Sequence, residues 1–124
     1  LHKEAEDVRR WNILHPELSP RKSYLEEMIN SSNGPVIAVS DYVKLVSEQI
    51  APYIKCPFVA LGTDGFGRSD TRENLRKFFE IDADHIAAAA ISTLMTEGQI
   101  TKAKAESALK NLKINPDAPD PARN

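Results

Sequence analysis

Apolar residues change their spacing along the chain, and each change marks an expected element. Over residues 1–12 they recur at helical spacing with charges between them, which predicts an amphipathic helix. Pro16 and Pro20 then interrupt regular structure, because proline restricts the residue before it and donates no backbone hydrogen bond. A short second helix is predicted from Ser23 up to the turn-forming residues 30–35.

Two compact apolar runs, residues 36–39 (VIAV) and 58–61 (FVAL), predict strands buried on both faces. Ser40 or Asp41 is expected to cap a helix between them. The apolar face of that helix would carry Tyr42, Leu45, Val46, Gln49 and Ile50. A strand, a helix and a strand within 26 residues favour a parallel pair with a right-handed crossover.

Three helices are predicted after a glycine-containing loop at residues 62–70. Asp70 and Glu73 have the spacing of a capping box for the first, and Asp82 or Asp84 can cap the second, which Gly98 ends. Thr101 is expected to cap the third, whose apolar stripe consists of Ala105, Ala108, Leu109 and Leu112. We therefore assign residues 1–114 to the domain and expect the Pro- and Asp-rich residues 115–124 to be a poorly ordered tail.

Composition excludes several classes of function. The net charge of −2 leaves no basic excess for nucleic acid or an anionic membrane surface, and the apolar runs are too short to span a bilayer. The lone Cys56 excludes an internal disulfide, and three scattered histidines form no zinc site. A reducing cytoplasm fits these features best.

The strand count indicates an incomplete α/β domain. A parallel sheet normally has more than two strands and is covered on both faces, yet only two runs read as strands. The chain also begins at Leu1, without methionine or the features of a signal peptide. We expect the C-terminal portion of a longer α/β domain, truncated on its N-terminal side.

The loop at residues 62–70 is the strongest candidate for chemistry, because a strand, a glycine-rich turn and a helix N-terminus can hold an anion. The candidate anion-binding residues are Gly65, Phe66, Gly67, Arg68 and Ser69. The spacing matches neither the dinucleotide nor the Walker fingerprint, and two carboxylates flank the loop. The alternative is that these glycines serve turns and that the arginine pairs with a neighbouring carboxylate.

Other reactive residues form no catalytic set. His85 is a candidate base, but a solvent-facing helix histidine held by a nearby carboxylate is the commoner arrangement. Cys56, just before a strand, is expected to be an unreactive packing residue. Thr63-Asp64-Gly65 resembles the start of the thiamin diphosphate motif. The stretch where that motif ends with asparagines is here the apolar segment 88–94, so no magnesium site is predicted. The sequence thus predicts no catalytic, cofactor-binding or metal residue.

Three strings carry a specific resemblance: residues 10–16 (RWNILHP), 40–45 (SDYVKL) and 59–76 (VALGTDGFGRSDTRENLR). They resemble the C-terminal domain of the homodimeric bacterial pyruvate dehydrogenase E1 family, within the transketolase-like superfamily. Transketolases carry a shorter version of the last string. The residues that follow this shared core here favour the pyruvate dehydrogenase E1 family over transketolase itself.

The resemblance implies a parent enzyme that decarboxylates pyruvate with thiamin diphosphate and magnesium, then reductively acetylates the lipoyl group of the E2 acyltransferase. It implies a transketolase-type α/β domain, of which this chain is about the last two thirds. No cofactor residue of the family falls on this chain, so its own role would be structural. Its partners would be the rest of the E1 chain, the homodimer partner and E2, in the bacterial cytoplasm. Two alternatives stay open: an anion-binding module at residues 62–70, and a helical interaction domain using the last helix.

Overall fold

The computed structural model of the chain describes residues 1–31, 33–65 and 70–123. These residues form a helix-rich α/β arrangement around one parallel pair of strands. In chain order its main elements are α1 (His2–Leu14), α2 (Tyr24–Ile29), β1 (Val36–Val39), α3 (Lys44–Glu48), β2 (Phe58–Leu61), α4 (Arg72–Phe78), α5 (Ala83–Thr96) and α6 (Lys102–Lys110). Short 3-10 helices occupy Ala51–Tyr53 and Pro121–Arg123.

The two strands pair in parallel, with Val36 opposite Phe58 and Val39 opposite Leu61, as the sequence predicts. The expectation that both faces are buried is wrong for this chain. The strand residues are half-buried, and Val39 is 41% exposed. The reason is that the described sheet has only two members, so each strand has an edge without a neighbouring strand.

The N-terminal helices form one small core. Ala5 on α1, Leu25 on α2 and Tyr53 pack together, with Ile29 and Ile50 at their margin. Ser23, fully buried, caps α2 by accepting a hydrogen bond from the Glu26 amide at 3.2 Å. An N-cap oxygen satisfies an amide that the first helical turn leaves without a partner, so burial of Ser23 costs little.

Helices α5 and α6 pack against each other, and α5 also covers β1. Their predicted caps are confirmed: Asp82 accepts from the His85 amide at 3.1 Å and Thr101 from the Lys104 amide at 3.3 Å. Gly98, at φ +74°, follows the end of α5. Ala105 is fully buried, so the apolar stripe of α6 contributes to the core of this chain.

The predicted start of α3 is wrong. This helix begins at Lys44, and its N-cap, Val43, makes no side-chain cap bond. The Ser40 hydroxyl instead accepts from the Tyr42 amide at 3.0 Å within the loop after β1. Tyr42 and Leu45 are 72% and 66% exposed, so this part of the predicted apolar face is not buried, whereas Ile50 packs against the N-terminal core. Bonds from this loop to the loop after β2, described below, account for the late start.

The predicted capping box of α4 is also wrong by one residue. Thr71 is the N-cap, and its hydroxyl accepts from the Asn74 amide at 3.2 Å. The Asp70 carboxylate accepts from the Thr71 amide at 2.7 Å and from the Asn74 side chain at 3.0 Å. Asp70 therefore supports the cap from outside the helix.

Candidate functional site

The carboxyl ends of β1 and β2 lie side by side, and the loops that leave them are tied together. The Thr63 amide donates to the Tyr42 carbonyl at 2.9 Å, and the Thr63 hydroxyl donates to the Asp41 carbonyl at 2.7 Å. The Lys44 amide donates to the Asp64 carboxylate at 3.0 Å. Because ligands approach parallel sheets at this end, it is the candidate site of the chain.

Close backbone contact at this edge requires glycine at position 62. A Cβ atom on Gly62 would lie 2.5 Å from the Tyr42 carbonyl oxygen and 2.8 Å from the Lys44 nitrogen. Real Cβ atoms essentially never approach backbone that closely. The glycine thus lets the two loops approach closely enough for their hydrogen bonds.

Gly65 adopts a φ of +121°, a backbone conformation that L side chains rarely adopt. It lies beneath the C-terminal segment: a Cβ atom there would be 2.5 Å from the Pro121 carbonyl oxygen and 3.2 Å from the Ala122 Cα. Gly65 therefore serves both a turn and a backbone contact with residues more than fifty positions later in the chain.

Of the predicted anion-binding residues, only Gly65 lies within the described part of the chain. Phe66, Gly67, Arg68 and Ser69 lie outside the described residues. The two flanking carboxylates, Asp64 and Asp70, both accept hydrogen bonds from neighbouring groups. Anion binding by this loop stays a prediction.

A groove of about 1040 Å³ opens beside the end of β1, between α4 and the start of α5. Its apolar lining includes Val39, Ile81 and Ile86, and four cationic side chains also line it: Arg72, Arg76, Lys77 and Lys113. Sequence analysis missed this group. The i, i+4 spacing of Arg72 and Arg76 was the available signal, since it places both on one face of α4.

Carboxylates line the same groove in equal number: Asp41, Glu73, Asp82 and Asp84. The groove therefore has no net formal charge to attract an anion at a distance. Asp82 also contacts a ring nitrogen of His85 in addition to capping α5. The nearby carboxylate predicted for His85 is therefore found, but the prediction that this histidine faces solvent is wrong, because its side chain is only 16% exposed.

The expectation that no thiamin diphosphate or magnesium ligand falls on this chain stays a prediction. Among residues 1–31, 33–65 and 70–123, no three acidic, histidine or cysteine side chains are grouped so that they could hold a metal ion. Asp64, the residue that resembles a magnesium ligand in sequence, instead accepts the Lys44 amide. We derive no chemical step through this cofactor from the chain itself. No helix in the described part of the chain is long and apolar enough to cross a bilayer.

Comparison with known proteins gives a consistent result. Residues 6–82 match the family model of the transketolase-like TK C-terminal domain. Pyruvate dehydrogenase E1 component of Cupriavidus necator is 47% identical over 98% of this chain, and the E1 components of Escherichia coli and Pseudomonas aeruginosa are 41% and 42% identical over the same share. The chain covers 14% of the length of each of these relatives and matches their C-terminal part.

The family match and the fold agree. The matched range contains most of α1, the helices α2 to α4, both strands and the loops at their carboxyl ends. The short parallel sheet flanked by helices is consistent with a transketolase C-terminal-type α/β domain. The chain therefore belongs to the family of transketolase-like C-terminal domains.

Proposed function

We propose that this chain is the C-terminal part of a bacterial pyruvate dehydrogenase E1 and acts there as a structural, non-catalytic element. The whole enzyme would decarboxylate pyruvate with thiamin diphosphate and reductively acetylate the lipoyl group of the E2 acyltransferase. The proposed partners of this chain are the rest of the E1 subunit, its homodimer partner and, within the complex, E2. A bacterial cytoplasmic location is part of the proposal.

The observation that carries the proposal is identity of 41–47% to named E1 components across 98% of the chain. The structure adds physical support for a structural role. The strand ends are occupied by hydrogen bonds and close backbone contacts between the two loops that leave them. Exposed apolar residues beside the sheet, among them Val39, Tyr42 and Leu45, are suited to cover by further chain.

A chimaera tests this proposal. In the E1 component of Cupriavidus necator, the C-terminal segment that matches this chain is replaced by residues 1–124. We expect the chimaera to form the same oligomer as the unmodified relative and to retain pyruvate-dependent acetylation of a lipoyl domain. The same relative without the segment should lose activity, and adding the separate chain to an assay of thiamin diphosphate binding should show none.

A matched pair of variants controls for general disruption. Gly62→Ala in the chimaera should lower activity by destabilising the subunit, whereas Gly34→Ala should not, because no atom lies within 4 Å of a Cβ added at Gly34. A chimaera that folds and forms the oligomer but has no activity would contradict the assignment to this enzyme. Binding of thiamin diphosphate by the separate chain would contradict its non-catalytic role.

A further inference from the structure

The C-terminal segment, residues 115–123, returns to the carboxyl end of the sheet and lies over Gly65 in the loop after β2. A turn at Asn115 starts this return: its side chain accepts from the Asp117 amide at 3.0 Å and its carbonyl from the Ala118 amide at 3.2 Å. Prolines at positions 116, 119 and 121 restrict the backbone that follows. The segment is thereby stiffened along the path to Gly65.

Asp120 shapes the end of this segment. Its carboxylate accepts from the Ala122 amide at 2.9 Å and lies 3.9 Å from the Arg123 guanidinium, and its carbonyl accepts from the Arg123 amide at 3.0 Å. These bonds form the short 3-10 helix Pro121–Arg123, which places the Pro121 carbonyl directly over Gly65. Pro121 is half-buried, whereas the other residues of the segment are exposed.

The contact between this segment and the rest of the chain is made by packing. Within the described residues, every hydrogen bond and ion pair found for residues 115–123 joins two members of that segment. A small cavity between the segment and the loop is lined by Gly62, Asp64 and Phe79 on one side and by residues 120–122 on the other. The segment can leave this position without breaking a hydrogen bond to the described body.

We propose that residues 115–123 are a releasable strap, anchored through Pro121, that covers the Gly65 backbone and controls access to the carboxyl end of β2. Its docked position excludes any ligand from the space over Gly65. The occupant of this surface is thus the chain's own C-terminal segment. The proposal depends on contacts within the chain and stands apart from the assignment to pyruvate dehydrogenase.

Nuclear magnetic resonance of the 124-residue chain tests the strap. If it is docked, the backbone order parameter of Ala122 should be near the rigid value of about 0.85. Asp120→Ala removes the carboxylate that shapes the turn, and we expect the Ala122 order parameter to fall below about 0.6. The paramagnetic relaxation of the Gly65 amide by a soluble gadolinium chelate should at the same time rise about twofold or more, since local opening exposes the amide.

Asp117→Ala is the matched control, because this acidic residue belongs to the same segment and only its backbone amide takes part in a described hydrogen bond. It should leave both readouts unchanged. Gly65→Ala approaches the contact from the other side, since its Cβ would meet the Pro121 carbonyl oxygen at 2.5 Å. This substitution should lower the order parameter of Ala122 by displacing the segment. Far-ultraviolet circular dichroism shows whether the rest of the chain still folds.

Two results would overturn the strap. One is an unmodified chain in which Ala122 is already as mobile as a free terminus. The other is an Asp120→Ala chain in which Ala122 becomes mobile while the relaxation of the Gly65 amide stays at its original value, because the segment would then not cover that amide.

Discussion

Replacing Gly62 with alanine should destabilise the chain by forcing apart the two loops at the carboxyl end of the sheet. The added Cβ would lie 2.5 Å from the Tyr42 carbonyl oxygen, which is backbone and cannot move aside as a flexible side chain would. The φ of Gly62 is outside the left-handed region, so the expected effect comes from space alone.

The magnitude follows from the bonds that the separation would strain. Three hydrogen bonds, at 2.7, 2.9 and 3.0 Å, join the loops around Gly62. Each contributes about 1 kcal/mol net, and overpacking at buried sites typically costs about 1–3 kcal/mol. We expect a loss of about 2–3 kcal/mol, equivalent to a fall in Tm of about 10 °C for a chain of this size.

Urea unfolding followed by far-ultraviolet circular dichroism measures this loss. Gly34→Ala is the control, since its Cβ would have no neighbour within 4 Å, and it should change stability by no more than about 0.5 kcal/mol. The reasoning fails if Gly62→Ala is as stable as the Gly34→Ala control. It also fails if the Thr63 amide, which donates to Tyr42, keeps its original protection from hydrogen exchange in the variant.

Three further predictions concern other parts of the chain. Ala105→Leu should cost about 1–3 kcal/mol by overpacking this fully buried position on α6, whereas Ala103→Leu on the exposed side of α6 should be nearly neutral in the same unfolding assay. Thr101→Ala should cost about 1 kcal/mol through loss of the α6 cap, and Thr101→Ser should recover most of it; equal stability of the two variants would contradict the cap. Arg21 lies 3.7 Å from the centroid of Trp11, the single tryptophan, and Asn12 makes two hydrogen bonds to the Arg21 backbone. Asn12→Ala should therefore shift the Trp11 fluorescence emission, while Arg10→Ala should not.

Local signals predicted several elements well because they depend on neighbouring residues. An aspartate or threonine before an apolar helical pattern offers an oxygen to the first free amides, and Asp82 and Thr101 are found in that role. The compact apolar runs predicted both strands with their observed bounds, and their separation by a helical segment favoured the parallel pairing.

The predicted helix caps were wrong where several hydrogen-bonding groups compete for the same backbone amides. The loop after β1 makes bonds to Thr63 and Asp64, and α3 consequently begins at Lys44 rather than near Ser40. At α4, Asp70 and Thr71 are both competent caps, and the observed side-chain bonds select Thr71. Residue type alone does not distinguish such neighbours.

The sequence by itself determined the α/β class, the two strands, two of the helix caps and, through three specific strings, the family. These depend on side-chain periodicity and on residue identity, which are local properties. Only the tertiary structure decided that Gly62 permits two loops to touch, that four cations and four carboxylates line one groove, and that Pro121 lies over Gly65. The physical reason is that such contacts join residues far apart in the chain, and their positions are set by the packing of the elements between them.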